Sequence, residues 1–484
     1  MPTSLQPLQP AASPALHGGR ARVVRITGLL ATAALWQAVA VAATPEAVRP
    51  GSRADAGVAP AEQPALRRLE ARVLIREALQ TYPSVLAARR AQDSAQFDVE
   101  TARWQFYPTP SVGFEAASRK ASASANQHSG FVRLRQPLWT GGRLTRQVDR
   151  AVANEQVSGS QVEEERRELA LRIIQSLGDV RTAALKRAAY RESGALHVEY
   201  LALVQRRVAE GMSPQGDIVL ARSRLSSVRA DLEAAEVQQS QAIARLEQLL
   251  GRSLQVEEYA GLLADARDDV TSVWADPGID VLLAQALEVS PLVRRGRFEL
   301  DARKAEVDLA RSSTSPEVYL RAEHSRGNLT SGETLLFVGL SSNFGPGLSD
   351  QSGLNSAVQR AEAKNAELET RRREVADQVR ADHLSAQASA RRVEVLAESA
   401  ELAQTVLVTW RRQFLAGRKT WQDLMNAARE KAQADVLAGE ARATLWAAVQ
   451  RLRIATEGVD GYLDVPAATA RGASALHASI RGLP

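Results

Sequence analysis

The 484-residue chain holds few residues arranged for reaction chemistry. Its histidines, His17, His128, His197, His324, His383 and His477, are scattered, and no Gly-x-x-x-x-Gly-Lys phosphate loop occurs. Cysteine is absent, which excludes disulfides, thiolate metal sites and cysteine nucleophiles. No triad and no ligand cluster is present, so the sequence points to no enzyme, no metal and no cofactor. The polar residues that do recur sit in two short breaks. One is Val208-Ala-Glu-Gly-Met-Ser-Pro-Gln-Gly-Asp217, the other Phe414-Leu-Ala-Gly-Arg-Lys-Thr-Trp-Gln-Asp423. Gly417 follows Gly211, and Asp423 follows Asp217, by the same 206 residues (417 − 211; 423 − 217).

Each break suits the tip of a helical hairpin. A glycine without Cβ fits a left-handed helix end, and Thr420 can cap the helix that follows. An aspartate in the first turn, as at Asp217 and Asp423, is also an ordinary cap or dipole partner. Two equivalent tips imply an internal duplication. A second set of matches, at 208 residues, supports it: Ala78-Leu79 with Ala286-Leu287, Pro83 with Pro291, and Pro108 with Pro316.

The tips must be carried by long helices. Composition agrees: 45% hydrophobic, 24% charged and only 5% aromatic, with alanine, leucine, glutamate and arginine filling the long segments. The balance of 61 Lys+Arg against 56 Asp+Glu gives +5 and leaves no basic stripe, so nucleic acid is not an expected partner. Helices are expected over 143–210 and 350–416, each spanning roughly 100 Å at the α-helical rise. Shorter ones follow at 213–250 and 420–456. Leu225, Val228, Leu232, Ala235, Ala242, Leu246 and Leu249 mark a three-four seam, whose counterpart is Ala434, Ala438, Ala441, Leu445, Ala448 and Leu452.

After Pro108 and Pro316 the period changes to two. Val112, Phe114 and Ala116, then Val132 and Leu134, alternate with small or charged residues. Val318, Leu320 and Ala322 alternate with Tyr319, Arg321 and Glu323, then Leu336, Val338 and Leu340 with Phe337, Gly339 and Ser341. Hairpins are expected at 109–138 and 317–344, apolar on one side. Arg133, Arg135, Arg321 and Glu323 fall on the other, facing a lumen if the sheet lies in a membrane and solvent if it does not. Trp139 and Tyr107, near the strand ends, suit the headgroup zone. Trp410, Trp446 and Phe414, within helical runs, suit packing.

The N-terminus reads as an export signal over 1–43. Arg20 to Arg25 supplies a basic flank and Ile26 to Val41 an apolar core of roughly 16 residues, followed by a small-residue cleavage pattern; residues before Arg20 read as an upstream extension or a misassigned start. Residues 44–68 read as a flexible mature N-terminus, 69–250 as the first repeat, 251–279 as an irregular linker, 280–459 as the second repeat and 460–484 as a disordered tail. Without a cysteine the mature N-terminus cannot be acylated. No later apolar run is long enough to span a bilayer as a helix, so an exported chain of this kind either stays in the periplasm or crosses the outer membrane as strands. Four strands cannot close a pore alone, which requires several protomers to share one barrel.

From about Leu69 to Val459 the chain resembles the TolC family of outer-membrane efflux and secretion ducts of Gram-negative bacteria. The likeness rests on the duplicated order of helix, two strands, long helix, tip and shorter helix, on Gln136-Pro-Leu-Trp-Thr-Gly-Gly-Arg143, and on Gly-x-x-Thr-x-x-Asp-Leu-Met-Asn from Gly417 to Asn426. It implies a homotrimer with a twelve-stranded β-barrel and an α-helical barrel reaching into the periplasm. It further implies a gate at the tips, in which Asp217 is the first-tip aspartate, Lys419 the second-tip basic residue, and Asp423 and Asn426 the ring positions. Phe414 stands at the tyrosine position, so the hydroxyl of that link is missing. A periplasmic membrane-fusion adaptor would dock near Gly211, Met212, Gly417, Arg418 and Trp421, and an inner-membrane ABC or RND transporter would supply the energy.

Three functions are weighed: the exit duct of a type I protein secretion system, the outer-membrane component of a multidrug efflux pump, and a periplasmic coiled-coil scaffold without a pore. The missing acyl cysteine favours protein secretion over drug efflux.

Overall fold

The computed structural model describes residues 71–118, 126–255, 278–327, 332–342, 346 and 349–464. The chain divides into Met1–Ala65 and Leu66–Pro484, and every described residue belongs to the second unit. The expected export signal, the mature N-terminus and most of the linker lie outside the described residues.

Chain order is α1 (Ala71–Thr81), α2 (Pro83–Trp104), β1 (Thr109–Ser118), β2 (Asn126–Trp139), α3 (Arg143–Ala209) and α4 (Gly216–Leu250). The second half repeats it: α5 (Ile279–Val289), α6 (Pro291–Ser312), β3 (Glu317–Gly327), β4 (Glu333–Ser341), α7 (Ser349–Leu415) and α8 (Trp421–Asp464). Pro83 and Pro291 each occupy a first helical position. The residues before them, Tyr82 and Ser290, are held extended by the proline ring, which is why α1 and α5 end there.

Both long helices have 67 residues, about 100 Å of rod. They pack side by side through the shorter ones, with α3 between α4 and α8, and α8 between α3 and α7. Toward the sheet, α2 and α6 take the flanking places, α2 against α3 and α6 between α3 and α7. The inner pair is well covered: α8 buries Ala438, Ala441, Leu445, Ala448 and Leu452 along its length. The outer pair is not, since Val219 and Val237 on α4 and Leu384, Val395 and Leu402 on α7 are exposed in the single chain.

Three cores hold the rods together. One joins α1, α3, α4 and α8 around Ile75, Leu169, Ile173 and Leu246, another joins α5, α6, α7 and α8 around Leu283, Val293, Val375 and Leu452, and the third fills the tips. The first core corrects the expected boundary of the tail. Residues as far as Asp464 are helical, beyond a break at Gly458 (φ +74°, where a Cβ would lie 2.7 Å from Val289 Cγ1). Tyr462 and Leu463 are buried in that core, and the Tyr462 hydroxyl donates to Gln450 Oε1 at 2.9 Å. Burying a whole tyrosine with its hydroxyl satisfied is enough to hold this end of α8 in the core.

The strands form one antiparallel sheet in the order β1-β2-β3-β4. The hairpins pair Val112 with Val132 and Leu320 with Val338; the repeats are joined where Arg133 faces Glu323. Within this chain β1 and β4 are the sheet's edges, each with a row of backbone groups free to pair.

Candidate functional site

The two tips close by the same hydrogen-bonding device. At the first, Met212 N–H donates to Arg207 O (2.8 Å) and Gly211 N–H to Val208 O (3.0 Å); at the second, Arg418 N–H donates to Gln413 O (2.8 Å) and Gly417 N–H to Phe414 O (3.0 Å). Gly211 and Gly417 have φ of +76° and +75°, the left-handed conformation this termination requires.

Their exits differ. At the second tip Thr420 Oγ1 accepts from Asp423 N–H (3.2 Å), while Asp423 Oδ2 accepts from the Thr420 hydroxyl (2.8 Å) and the Thr420 N–H (3.1 Å). This reciprocal cap holds the Asp423 carboxyl below its ordinary pKa, chiefly through the Thr420 hydroxyl, then its N–H, with Lys419 adding a smaller effect. At the first tip Pro214 and Gln215 precede α4 and no side chain caps it. Asp217 gives its N–H to Pro214 O (3.1 Å), and its half-buried carboxylate has no partner among the described residues.

Between the tips lies the third core. Phe414 (3% exposed) and Trp421 (7%) pack there with Tyr200, Leu424 and Met425. Trp421, expected on the adaptor-facing surface, is therefore interior: its ring fills the gap between the two hairpins. Met212 and Arg418 are exposed at the extremities, and Asn426 is exposed one turn beyond Asp423.

Lys419 forms no ion pair with Asp217 within this chain, and Phe414 has no polar group to offer it. The Lys419 ammonium sits 4.2 Å from the centre of the Trp410 ring, and the Arg207 guanidinium 5.1 Å from that of Phe414. Two cation–π contacts thus occupy the groups that the resemblance assigned to a latch. Tyr200, Arg207 and Trp410 were not singled out as site residues. Arg207 stands four residues before Gly211 and Trp410 four before Phe414, a helical spacing that could have found them. Arg411 also pairs with Glu199, tying α7 to α3 near the tips. The Tyr200 hydroxyl is buried without a hydrogen bond among the described residues, and burial pushes its pKa up to about 12.

The sheet separates chemistry by face. One face carries Val112, Phe114, Val132, Leu134, Leu336, Val338 and Leu340, all exposed; Val112 is 81% so. The opposite face holds a charged ladder. Arg133 Nε donates to Glu323 at 2.8 Å, Arg321 lies 3.7 Å from the same carboxylate, and Arg135 and Arg143 both reach Glu317, at 3.2 and 3.1 Å. Arg133, Arg135 and Arg321 also stack over Phe131, Tyr319 and Phe337. Phe131 and Tyr319 lie across Gly113 and Gly339, directly opposite them in register, where a Cβ would come within 2.4 Å of the rings. Trp104, Tyr107 and Trp139 are exposed at the helix end of the sheet. An apolar outer face with a satisfied polar inner one is how a strand crosses hydrocarbon around water.

Long paired rods continuing into such a sheet define an outer-membrane channel. Residues 74–252 and 282–475 match the outer membrane efflux protein family, and the chain belongs to it. Two characterised relatives are similar in sequence. The nickel-cobalt-cadmium resistance protein NccC of Alcaligenes xylosoxydans xylosoxydans is 25% identical over 62% of this chain and 67% of its own. The alkaline protease secretion protein AprF of Pseudomonas aeruginosa is 23% identical over 65% and 68%. Among solved structures, the outer membrane protein VceC of Vibrio cholerae superposes with a TM-score of 0.67 at 16% identity, covering 80% of this chain and 96% of that one, a likeness of fold. The protein is thus a TolC-type efflux channel of the Gram-negative outer membrane that extends into the periplasm.

Proposed function

We propose that the chain, as a homotrimer, is the exit duct of a type I protein secretion system, docked through a periplasmic adaptor onto an inner-membrane ABC transporter. The observation that carries the secretion reading is the likeness to a protease secretion protein. The inner face of the sheet agrees with it: Arg133, Arg135 and Arg321 are paired there with Glu317 and Glu323, and a polar wall of mixed charge tolerates a polypeptide.

Trimerisation is supported by the free edges of β1 and β4 and by the exposed apolar residues of α4 and α7. Three copies of an antiparallel four-stranded sheet join edge to edge into twelve strands without changing the alternation of direction. Met212 and Arg418, exposed at the extremities beside Gly211 and Gly417, are the proposed adaptor contacts. The gate is assigned to Asp217 and Asn426, which project from the tips without a structural duty. Asp423 and Lys419 serve it by holding the second tip in shape.

Likeness to a nickel-cobalt-cadmium resistance protein favours a second reading, metal or drug efflux with an RND-type transporter. Deleting the gene distinguishes the two. Secretion predicts a polypeptide retained inside cells with unchanged tolerance of nickel, cobalt, cadmium and drugs; lost tolerance with normal secretion moves the assignment to efflux.

A further inference from the structure

An open cavity of about 840 Å³ lies where the sheet meets the long rods, walled by the first turns of α3, the last turns of α6 and the first turns of α7. Its charged lining is Arg143, Arg150, Arg303 and Arg360 against Glu306 and Asp350. Arg143 is held by Glu317 (3.1 Å) and Arg303 by Glu306 (2.7 Å). Arg150 and Arg360 have neither a hydrogen bond nor an ion pair among the described residues. Elsewhere arginines of these rods are commonly neutralised one turn away, as Arg146 is by Asp149 and Arg311 by Asp308. With Arg143 held by Glu317 and Arg303 by Glu306, Arg150 and Arg360 face Asp350 as the one remaining acid of the lining, a formal excess of one positive charge per chain.

The side on which it opens follows from Arg143. Its guanidinium reaches Glu317, which shares the polar face of the sheet with Arg133, Arg135 and Glu323, away from the exposed apolar face. Gln147 and Arg150 lie one and two turns further along α3 on the same stripe, and both line the cavity. The cavity therefore lies on the side of the charged face, which is the inner side of the wall on the duct reading above.

We propose that this cavity is an anion-docking station on the inner wall, which takes the carboxylate groups of an acidic polypeptide as it passes from the helical tube into the barrel. The proposal rests on the duct reading above and names the chemistry of its cargo. Guanidinium forks bind carboxylates through paired, charge-assisted hydrogen bonds, and Arg150 and Arg360 hold those donors uncommitted. A half-exposed site of this kind attracts weakly enough to release. Three copies around one duct would retain a long acidic segment by rebinding while letting each carboxylate go.

The test titrates poly-L-glutamate into the full chain in detergent by calorimetry, with tripolyphosphate and poly-L-lysine as comparison probes. Poly-L-glutamate is expected to bind and poly-L-lysine not to. The Arg150→Ala/Arg360→Ala variant should weaken that binding by about tenfold or more, and Arg150→Lys/Arg360→Lys should recover most of it. Neither residue holds a structural partner, so folding is spared. Unchanged affinity in the alanine variant, or binding of tripolyphosphate without poly-L-glutamate, overturns the proposal. The same preparation placed in planar bilayers separates the two claims. A conducting channel that ignores poly-L-glutamate removes only the docking station, whereas a preparation with no conductance, even after Asp217→Ala at the gate, removes the duct reading beneath it.

Discussion

The first and second tips end their long helices identically and begin their short ones differently. Asp217 lies six places after Gly211, as Asp423 does after Gly417, and both glycines adopt the same left-handed turn. Yet Asp423 is tied to Thr420 by reciprocal hydrogen bonds, whereas Asp217 follows Pro214 and Gln215 with its carboxylate unengaged. Duplication copied the backbone device and left side-chain duties free to diverge: one aspartate became structural and the other remained available. Equivalent positions in a repeat share geometry before they share function.

The sharpest way to break this contrast is to remove what both tips lean on. Trp421→Ala leaves a large void between the hairpins and should lower the local opening free energy, read by hydrogen exchange at both tips, by about 3 kcal/mol or more. An effect confined to the second tip would show that the core is not shared. Next in size, Gly211→Ala and Gly417→Ala should cost about 1–2 kcal/mol each, equally, because each forces an L-residue into the left-handed region. Unequal costs would mean that the turns are not equivalent.

The capping difference should then appear as an asymmetry. Thr420→Ala is expected to lose about 1 kcal/mol at the second tip, and Asp217→Ala to leave the first within about 0.5 kcal/mol. Acid sharpens this. The Asp423 carboxyl titrates lower when folded than when unfolded, so its stabilising contribution is present above its ordinary pKa and lost as pH falls through the depressed value. Exchange at the second tip should accelerate over that acidic window, with the Asp423→Asn variant insensitive to it; a parallel response at the first tip would contradict the assignment. Smallest of all, Tyr200→Phe should be neutral or slightly stabilising, since it deletes a buried hydroxyl without a hydrogen bond among the described residues. A loss of stability would reveal a partner for that hydroxyl in the assembled trimer.

Much of the architecture was legible in the residues because it rests on local rules. Prolines placed the starts of α2 and α6, period-two runs placed the strands, and glycines marked the tips. What escaped the reading was decided by packing between segments far apart in sequence. Trp421 lies beside exposed residues in the chain but against Tyr200 in space, so nothing local marks it as interior. Tyr462 and Leu463 follow two glycines and read as the start of a loose tail, but Val459, Tyr462 and Leu463 keep a three-four apolar spacing that docks under α1. Lys419 could have been placed on Trp410 only by knowing that the turn folds it back over α7. The sheet's division into apolar and charged faces was readable, because alternation alone sets it; the pairing of Arg133 with Glu323 needed the register between repeats.

All of this depends on one sheet supplying a third of a closed wall. Native mass spectrometry of the full chain, extracted from outer membranes in mild detergent, tests that most directly. Three chains in one particle are expected, surviving dilution, and a single chain that stays dissolved without detergent would contradict the account.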